Sequence, residues 1–223
     1  MTHPLLPRTL EPEVMDTQEE VAEYLAMDHL AVNEKFIEDL YAGGPVGDRV
    51  MDLGCGTAQI PVLLCQKSLD IQVLAVDSSV EMLETARLEV EMGGVVGQVQ
   101  LAHADSKTMT EYESESIQTV ISNSLIHHLP DPLPALRQMN RLIEPGGRLF
   151  VRDLSRPDSE DEVESLVQQY AGEESAFAQQ LLRQSLHAAL TLGEVQELAA
   201  EVGIRADSIR MTSDRHWTID WMK

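Results

Sequence analysis

Only two cysteines, Cys55 and Cys65, occur in 223 residues. They have no metal-type spacing, which argues against a disulfide scaffold or a cysteine metal centre and for a reduced compartment. Aromatic residues are scarce, at 4%, too few for a deep cage around a quaternary amine or a row of stacked bases. Basic residues are outnumbered, 16 Lys+Arg against 38 Asp+Glu for a formal charge of −22; such a field repels phosphate backbones and anionic membrane surfaces. No stretch approaches the roughly 18 apolar residues of a membrane span. The first residues, MTHPLLPRTLEPEVMD, carry prolines and acids where a secretory leader would be apolar. The expectation is a soluble cytoplasmic protein, monomer or homodimer, with no nucleic-acid or membrane partner.

What is present alternates. Residues 17–41 read as one or two amphipathic helices, with Val21, Tyr24, Leu25, Ala31, Phe36, Ile37 and Leu40 at helical spacing, and AGGPVGD then breaks the chain. Five short β-rich runs follow, RVMDL, IQVLAVD, QVQLAHAD, IQTVISN and GRLFVRDL. Helical stretches such as residues 81–92 and 133–142 lie between most of them. Parallel neighbours need crossovers long enough to hold a helix, so this pattern predicts a parallel sheet covered on both faces. The end of the chain departs from it: RADSIRMT and HWTIDWMK, joined by SDR, predict an antiparallel hairpin. The acid-rich RPDSEDEVES reads as a loop and the first turn of a helix. The division expected is an N-terminal helical segment, residues 1–46, and a nucleotide-binding domain, residues 47–223.

The run VMDLGCGTAQIP passes from an apolar strand through Gly54 and Gly56 into a helical stretch. A dinucleotide fingerprint requires a third glycine, G-x-G-x-x-G, but Gln59 stands there, which disfavours a nicotinamide oxidoreductase. Asp52 precedes the turn and suits a ligand bearing an ammonium group. Asp77 closes the next strand, 23 residues beyond Gly54, where a carboxylate can accept both hydrogen bonds of a ribose diol. Asp105 closes the following strand and can accept from an exocyclic adenine amine. Three carboxylates at successive strand ends, beside a bare main-chain turn, describe a site for a cationic adenosine compound.

These motifs resemble the class I S-adenosylmethionine-dependent methyltransferases. VMDLGCGTA resembles the family's first motif, VLAVDSS its ribose-binding acid, HAD its adenine-binding acid, VISNSLIHHLPDP its fourth strand and LIEPGGRLFVRDL its fifth, over about residues 47–222. Ala58 stands where many members carry a further glycine. The resemblance implies an α/β fold with a doubly wound, mostly parallel seven-stranded sheet, an antiparallel last strand and added N-terminal helices. It implies S-adenosylmethionine as cofactor and methyl transfer to a small-molecule acceptor. The alternative is a non-catalytic module that binds the same cofactor. By the same resemblance, Gly54 and Gly56 admit the methionine moiety and Asp52 orients its amino group. Asp77 binds the ribose, Ser78 and Met82 flank the adenine, Asp105 and Ser106 bind its edge, and Asn123 lies beside the sulfonium.

His127 and His128 follow Asn123 and are the candidates for a base where the acceptor must lose a proton. No metal is expected, because adjacent residues point in different directions and no Cys or third His stands nearby in sequence. Acceptor recognition is expected from the added segments, through Tyr24, Met27 and Asp28, with His29 and Asn33, and through Arg156 and Tyr170, with Phe177. Arg215, His216 and Trp217 are further candidates for the acceptor pocket. Removal of residues 1–40 is expected to leave a folded core without turnover.

Overall fold

The computed structural model describes residues 6–11, Leu25 and residues 29–223. Seven strands form one sheet in the order β3-β2-β1-β4-β5-β7-β6. They are β1 (Arg49–Leu53), β2 (Gln72–Asp77), β3 (Val99–His103), β4 (Ile117–Asn123), β5 (Ile143–Leu154), β6 (Ile209–Met211) and β7 (His216–Met222). The first five are mutually parallel, and β7 runs antiparallel to both β5 and β6. The anticipated strands and hairpin form in sequence order, and β5 extends back to Ile143.

Successive side chains of a strand point to opposite faces, so each strand feeds two cores. Val50, Val73, Ile121 and Phe150 face one side, where α1 (Leu30–Gly43), α2 (Gln59–Lys67) and α3 (Val80–Met92) pack. Met51, Val120, Leu149, Val151, Trp217 and Ile219 face the other, against α4 (Leu133–Leu142) and α7 (Leu192–Glu201). Burial on both faces explains why the central strands read as unbroken apolar runs. Between β5 and α7 the chain forms α5 (Glu160–Ala171) and α6 (Ala176–Ala188).

The helix starts are written locally. Ser79 Oγ accepts from the Met82 amide at 3.1 Å to cap α3, and Thr191 and Glu194 form a reciprocal capping box on α7. Ser159 caps α5, and Glu160, Asp161 and Glu162 fill its positive first turn, as the acid-rich run suggested.

Phe36, Ile37 and Leu40 of α1 are fully buried against β1, β4 and β5. α1 is thus a layer of the core. The expectation that residues 1–40 can be removed without damage is corrected: their loss would expose Phe150, Ile121 and Val50. Tyr24, Met27 and Asp28 lie outside the described residues. Arg148, on β5 and 1% exposed, ties this layer down. Its Nη1 donates to the carbonyls of Leu40 (2.6 Å) and Gly44 (3.1 Å), and its Nε to Asp220 of β7 (2.8 Å). Breaking a buried pair leaves an uncompensated charge, so Asp220→Ala is expected to cost about 3 kcal/mol in urea unfolding. A loss below about 1 kcal/mol, the level of exposed pairs, would show that the anchor is idle.

Candidate active site

Strands β1 and β4 are parallel neighbours whose chains leave the sheet towards opposite flanks. Open α/β sheets place ligands at such a switch point, outside the carboxyl ends of the strands. Here β1 ends at Leu53 and the chain turns through Gly54 (φ 73°), Gly56 (φ 53°) and Ala58 (φ 61°), three left-handed residues. A Cβ on Gly54 would lie 2.9 Å from Leu125 Cδ1, so the missing side chain lets the loop after β4 close on the turn. A Cβ on Gly56 would meet nothing within 4 Å, leaving open space over its backbone. Ala58 accepts the left-handed conformation at a cost of about 1 kcal/mol that glycine would avoid.

Asp52 lies beneath this turn and is buried. Burial, reinforced by the charge of Asp77, pushes its carboxyl up to about 8. Asp77 accepts from the Gly56 amide (2.8 Å) through Oδ2 and from the Ser79 amide (2.9 Å) through Oδ1. It therefore joins the turn to the start of α3. Its own pKa is raised, because burial outweighs these hydrogen bonds. Two desolvated carboxyls beside an open backbone cradle suit a positively charged ligand carrying hydroxyls.

The remaining cofactor candidates surround this pair. Met82 and Ser106 are buried, and Ser78 is exposed, with its carbonyl accepting from His103 Nε2 at 3.0 Å. Asp105 is turned onto its own loop, where Oδ1 accepts from the Lys107 amide at 2.8 Å. Asn123 ends β4 and is half-buried. Ser124 follows in a left-handed conformation, φ 57°, its amide donating to the Arg152 carbonyl at 2.9 Å.

The histidine pair is built differently from the sequence expectation. His127 is buried, with Nδ1 2.5 Å from Asp153 Oδ1 and Nε2 3.3 Å from Glu11 Oε1. Burial alone would lower its pKa, but Asp153 and Glu11 outweigh it and raise the value. Both ring nitrogens thus face carboxylates, and an imidazolium in this position is a poor base. His128 is half-buried and lies against the His127 ring, centroids 4.1 Å apart. Its Nδ1 is 3.0 Å from the same Glu11 oxygen, off the line of a hydrogen bond. The two rings converge instead of pointing apart, which corrects the reason for setting a metal aside. Glu11, His127 and His128 offer one ligand atom each, all within 4.8 Å of one another.

Sequence reasoning missed Glu11 and Asp153. Asp153 accepts from the amides of Ile126 (2.6 Å), His127 (3.2 Å) and Leu154 (2.6 Å) as well as from the imidazole. The one available signal was an acid inside the apolar run RLFVRDL. Glu11 had none: it is brought in by Arg8, whose guanidinium donates to the carbonyls of His127, Leu129 and Ala188 at 3.1, 2.9 and 2.6 Å.

Two acceptor candidates serve the frame. Arg156 is buried, donating to the Ala189 carbonyl (2.8 Å) and to Glu194 (2.6 Å), which removes it from the binding surface and makes it a strut to α7. Tyr170 donates its hydroxyl to Asp214 at 2.6 Å, and its ring lies 3.2 Å from Arg215 Cζ. It holds Arg215 in place. Trp217 is fully buried in the core, whereas Arg215 and His216 line a cleft beside the carboxyl end of β5 and the start of β7. A larger depression, about 910 Å³, opens at the amino ends of the strands among Lys67, Asp48 and Asp70, far from these groups along the strands.

Fold and site define a class I methyltransferase. Residues 46–203 match the methyltransferase domain family, and the chain belongs to it, within the S-adenosylmethionine-dependent class I group. Over 112 residues it is 32% identical to the ubiquinone biosynthesis O-methyltransferase of Xanthomonas axonopodis pv. citri, covering 50% of this chain and 45% of that protein. It is 31% identical over 107 residues to the 27-O-demethylrifamycin SV methyltransferase of Amycolatopsis mediterranei, covering 48% and 39%. The chain thus spans less than half the length of these relatives. A SAM-dependent methyltransferase of Aquifex aeolicus shares the fold, with a TM-score of 0.69 at 15% identity over 92% of this chain and 97% of that one.

The carboxylate clamp makes a direct prediction. His127 is expected to lose its second ring proton above the ordinary histidine value of 6.5, read from the pH dependence of its ring nitrogens in long-range nitrogen NMR spectra. Because its folded pKa is raised, its stabilisation is present below 6.5 and lost as pH rises through the folded value. A ring that titrates at or below 6.5 would refute the clamp.

Proposed function

We propose that the chain transfers a methyl group from S-adenosylmethionine to a small-molecule acceptor by in-line displacement. The observation that carries this reading is Asp52, fully buried, pushed up to about 8 and facing a backbone turn with open space above it. An ammonium group is the partner this carboxyl lacks. The cofactor supplies an electrophilic methyl on a sulfonium. Asp52 would orient the methionine amino group, Gly54 and Gly56 would admit its backbone, and Asp77 would bind the ribose hydroxyls. Ser78 and Met82 would flank the adenine, Asp105 and Ser106 would meet its edge, and Asn123 would lie beside the sulfur.

The protein gains most in such a reaction by holding the partners in line in a dry site. Where the acceptor must shed a proton, His128 is the better base of the pair, since His127 holds its own proton. The O-methyltransferase relatives support an oxygen acceptor. The acidic surface supports a metabolite over a nucleic acid or membrane, and the free, buried Cys55 and Cys65 support a reducing cytoplasm.

The test is incubation with methyl-labelled cofactor and fractionated metabolites, scored by S-adenosylhomocysteine and by mass spectrometry of labelled products. Cofactor binding without any turnover would favour the non-catalytic module. A second outcome follows from Asp52: protonated at pH 7 in the free protein, it must ionise to pair with an ammonium. Calorimetry in buffers of different ionisation enthalpy is expected to show release of about one proton on cofactor binding at pH 7, falling towards zero above pH 9. Asp52→Asn should abolish the release, weaken binding by about tenfold or more, and raise the melting temperature of the free protein at pH 8.5. Unchanged proton release in that variant would remove Asp52 from the site.

A further inference from the structure

The chain has 16 Lys+Arg, and four of them, Lys35, Arg152, Arg210 and Arg215, gather around two adjoining clefts of about 350 and 260 Å³. The clefts share Lys35, Asp39, Arg152 and Thr212 and run between α1 and the β5-β7-β6 end of the sheet. Asp39 is the only carboxylate among the described residues lining them. In a chain of net charge −22, such a concentration of cations is a local reversal of field, and a concave basic surface focuses anions.

Position matters as much as charge. Arg152 is the register partner of Asn123 at the end of β4, and His216 is that of Leu154 at the end of β5. Ala31 and Val32, in the first turn of α1, form the opposite wall. α1 is joined to the residue following the glycine turn by Asn33, whose Nδ2 donates to Gln59 Oε1 at 2.8 Å. The smaller cleft therefore opens on the same carboxyl edge as Asp52 and Asp77, on the far side of Asn123, and the larger one runs back from it along α1.

We infer that these clefts bind the methyl acceptor through an anionic group, a carboxylate or a phosphate. This rests on the methyl-transfer reading above.

The cations are prepared for the task. Arg152 is buried, and its Cζ lies 5.8 Å from the ring centroids of Phe36 and Phe150, which shield it from water and fix its plane. Nε donates to Thr218 (3.1 Å) and Nη2 to Asp39 (2.7 Å). The other Asp39 oxygen takes Lys35 at 2.7 Å. Asp39 acts as an internal counter-ion bridging the two cations, and an incoming anion competes for them. Arg215 is held over Tyr170 beside Asp214 at 3.7 Å. Thr212 and Thr218, 2.8 Å apart, add hydroxyls. Burial, then Arg215 and Arg152, push His216 down to about 4 against the opposing pull of Asp153 and Asp214. One edge of the sheet is thus acidic for the sulfonium donor and the neighbouring cleft basic for an anionic acceptor, with Asn123 between them.

The test uses the full chain, titrated with inorganic phosphate and separately with benzoate at constant ionic strength held by chloride, while NMR follows the His216 ring and the Arg215 side chain. Saturable shifts with either probe, absent with chloride, are expected; the tighter probe indicates whether the acceptor carries a phosphate or a carboxylate. Arg215→Gln should weaken binding about tenfold. Arg152→Lys, which keeps the charge and loses the planar fork, should weaken it with the melting temperature little changed. Arg183→Gln, on α6 and paired with Glu164 away from the clefts, should leave it unaltered. If neither probe saturates, or Arg215→Gln binds as the parent does, the clefts are packing features only and the inference falls. Calorimetry with S-adenosylhomocysteine on the same sample separates the two claims. Nucleoside binding without anion binding sinks this inference alone, and the reverse result sinks the methyl-transfer reading while leaving an anion site.

Discussion

Burying the Asp52 carboxyl costs free energy that the unliganded fold does not recover. Burial, and then the charge of Asp77 beside it, push its pKa up to about 8. A charged carboxylate in such a place is tolerated only beside a cation. The local structure leaves the turn above Asp52 open. Gly54 leaves room for Leu125, Gly56 leaves its own backbone bare, and Asp77 ties the turn to α3 by accepting from Gly56 and Ser79.

A second carboxylate organises the other half of the edge. Asp153, at the penultimate residue of β5, gathers three backbone amides and the His127 imidazole, fixing the loop that leaves β4. That loop carries Ser124 in a strained conformation next to Asn123. Unlike Asp52, Asp153 is fully compensated: burial would raise its pKa, but His127 and the amides hold it below the ordinary value. The contrast separates a carboxylate held by amides and an imidazole from one left desolvated, and it ties His127 to the end of β5.

Charge is partitioned across the edge. The acids at the ends of β1 and β2 lie on one side of Asn123, and Arg152, Arg215 and Lys35 lie on the other, against a background of −22. Self-repulsion in so acidic a chain makes anion binding anywhere unfavourable at long range. A buried guanidinium backed by Phe36 and Phe150 overcomes this only at short range, which confines an anionic group to one cleft.

The parallel strands in their sequence order, the closing hairpin and the acids near the ends of the first three strands were legible in the sequence, because all are local. Period-two runs, helix-period stretches, the two glycines and capping residues such as Ser79 and Ser159 act on neighbours a few residues away. That is why VMDLGCGTA and VLAVDSS read as a nucleotide site from their residues alone. What the tertiary structure alone decided depends on contacts between distant segments. Glu11 reaches His127 across 116 residues of chain, Asp39 of α1 reaches Arg152 of β5 across 113, and Arg156 turns away to Glu194 of α7. Whether an ionisable side chain binds a ligand or braces the frame is set by its burial and its partners. Neither is encoded in the spacing of the residues around it, so local pattern located the edge of the sheet and only packing distributed the roles along it.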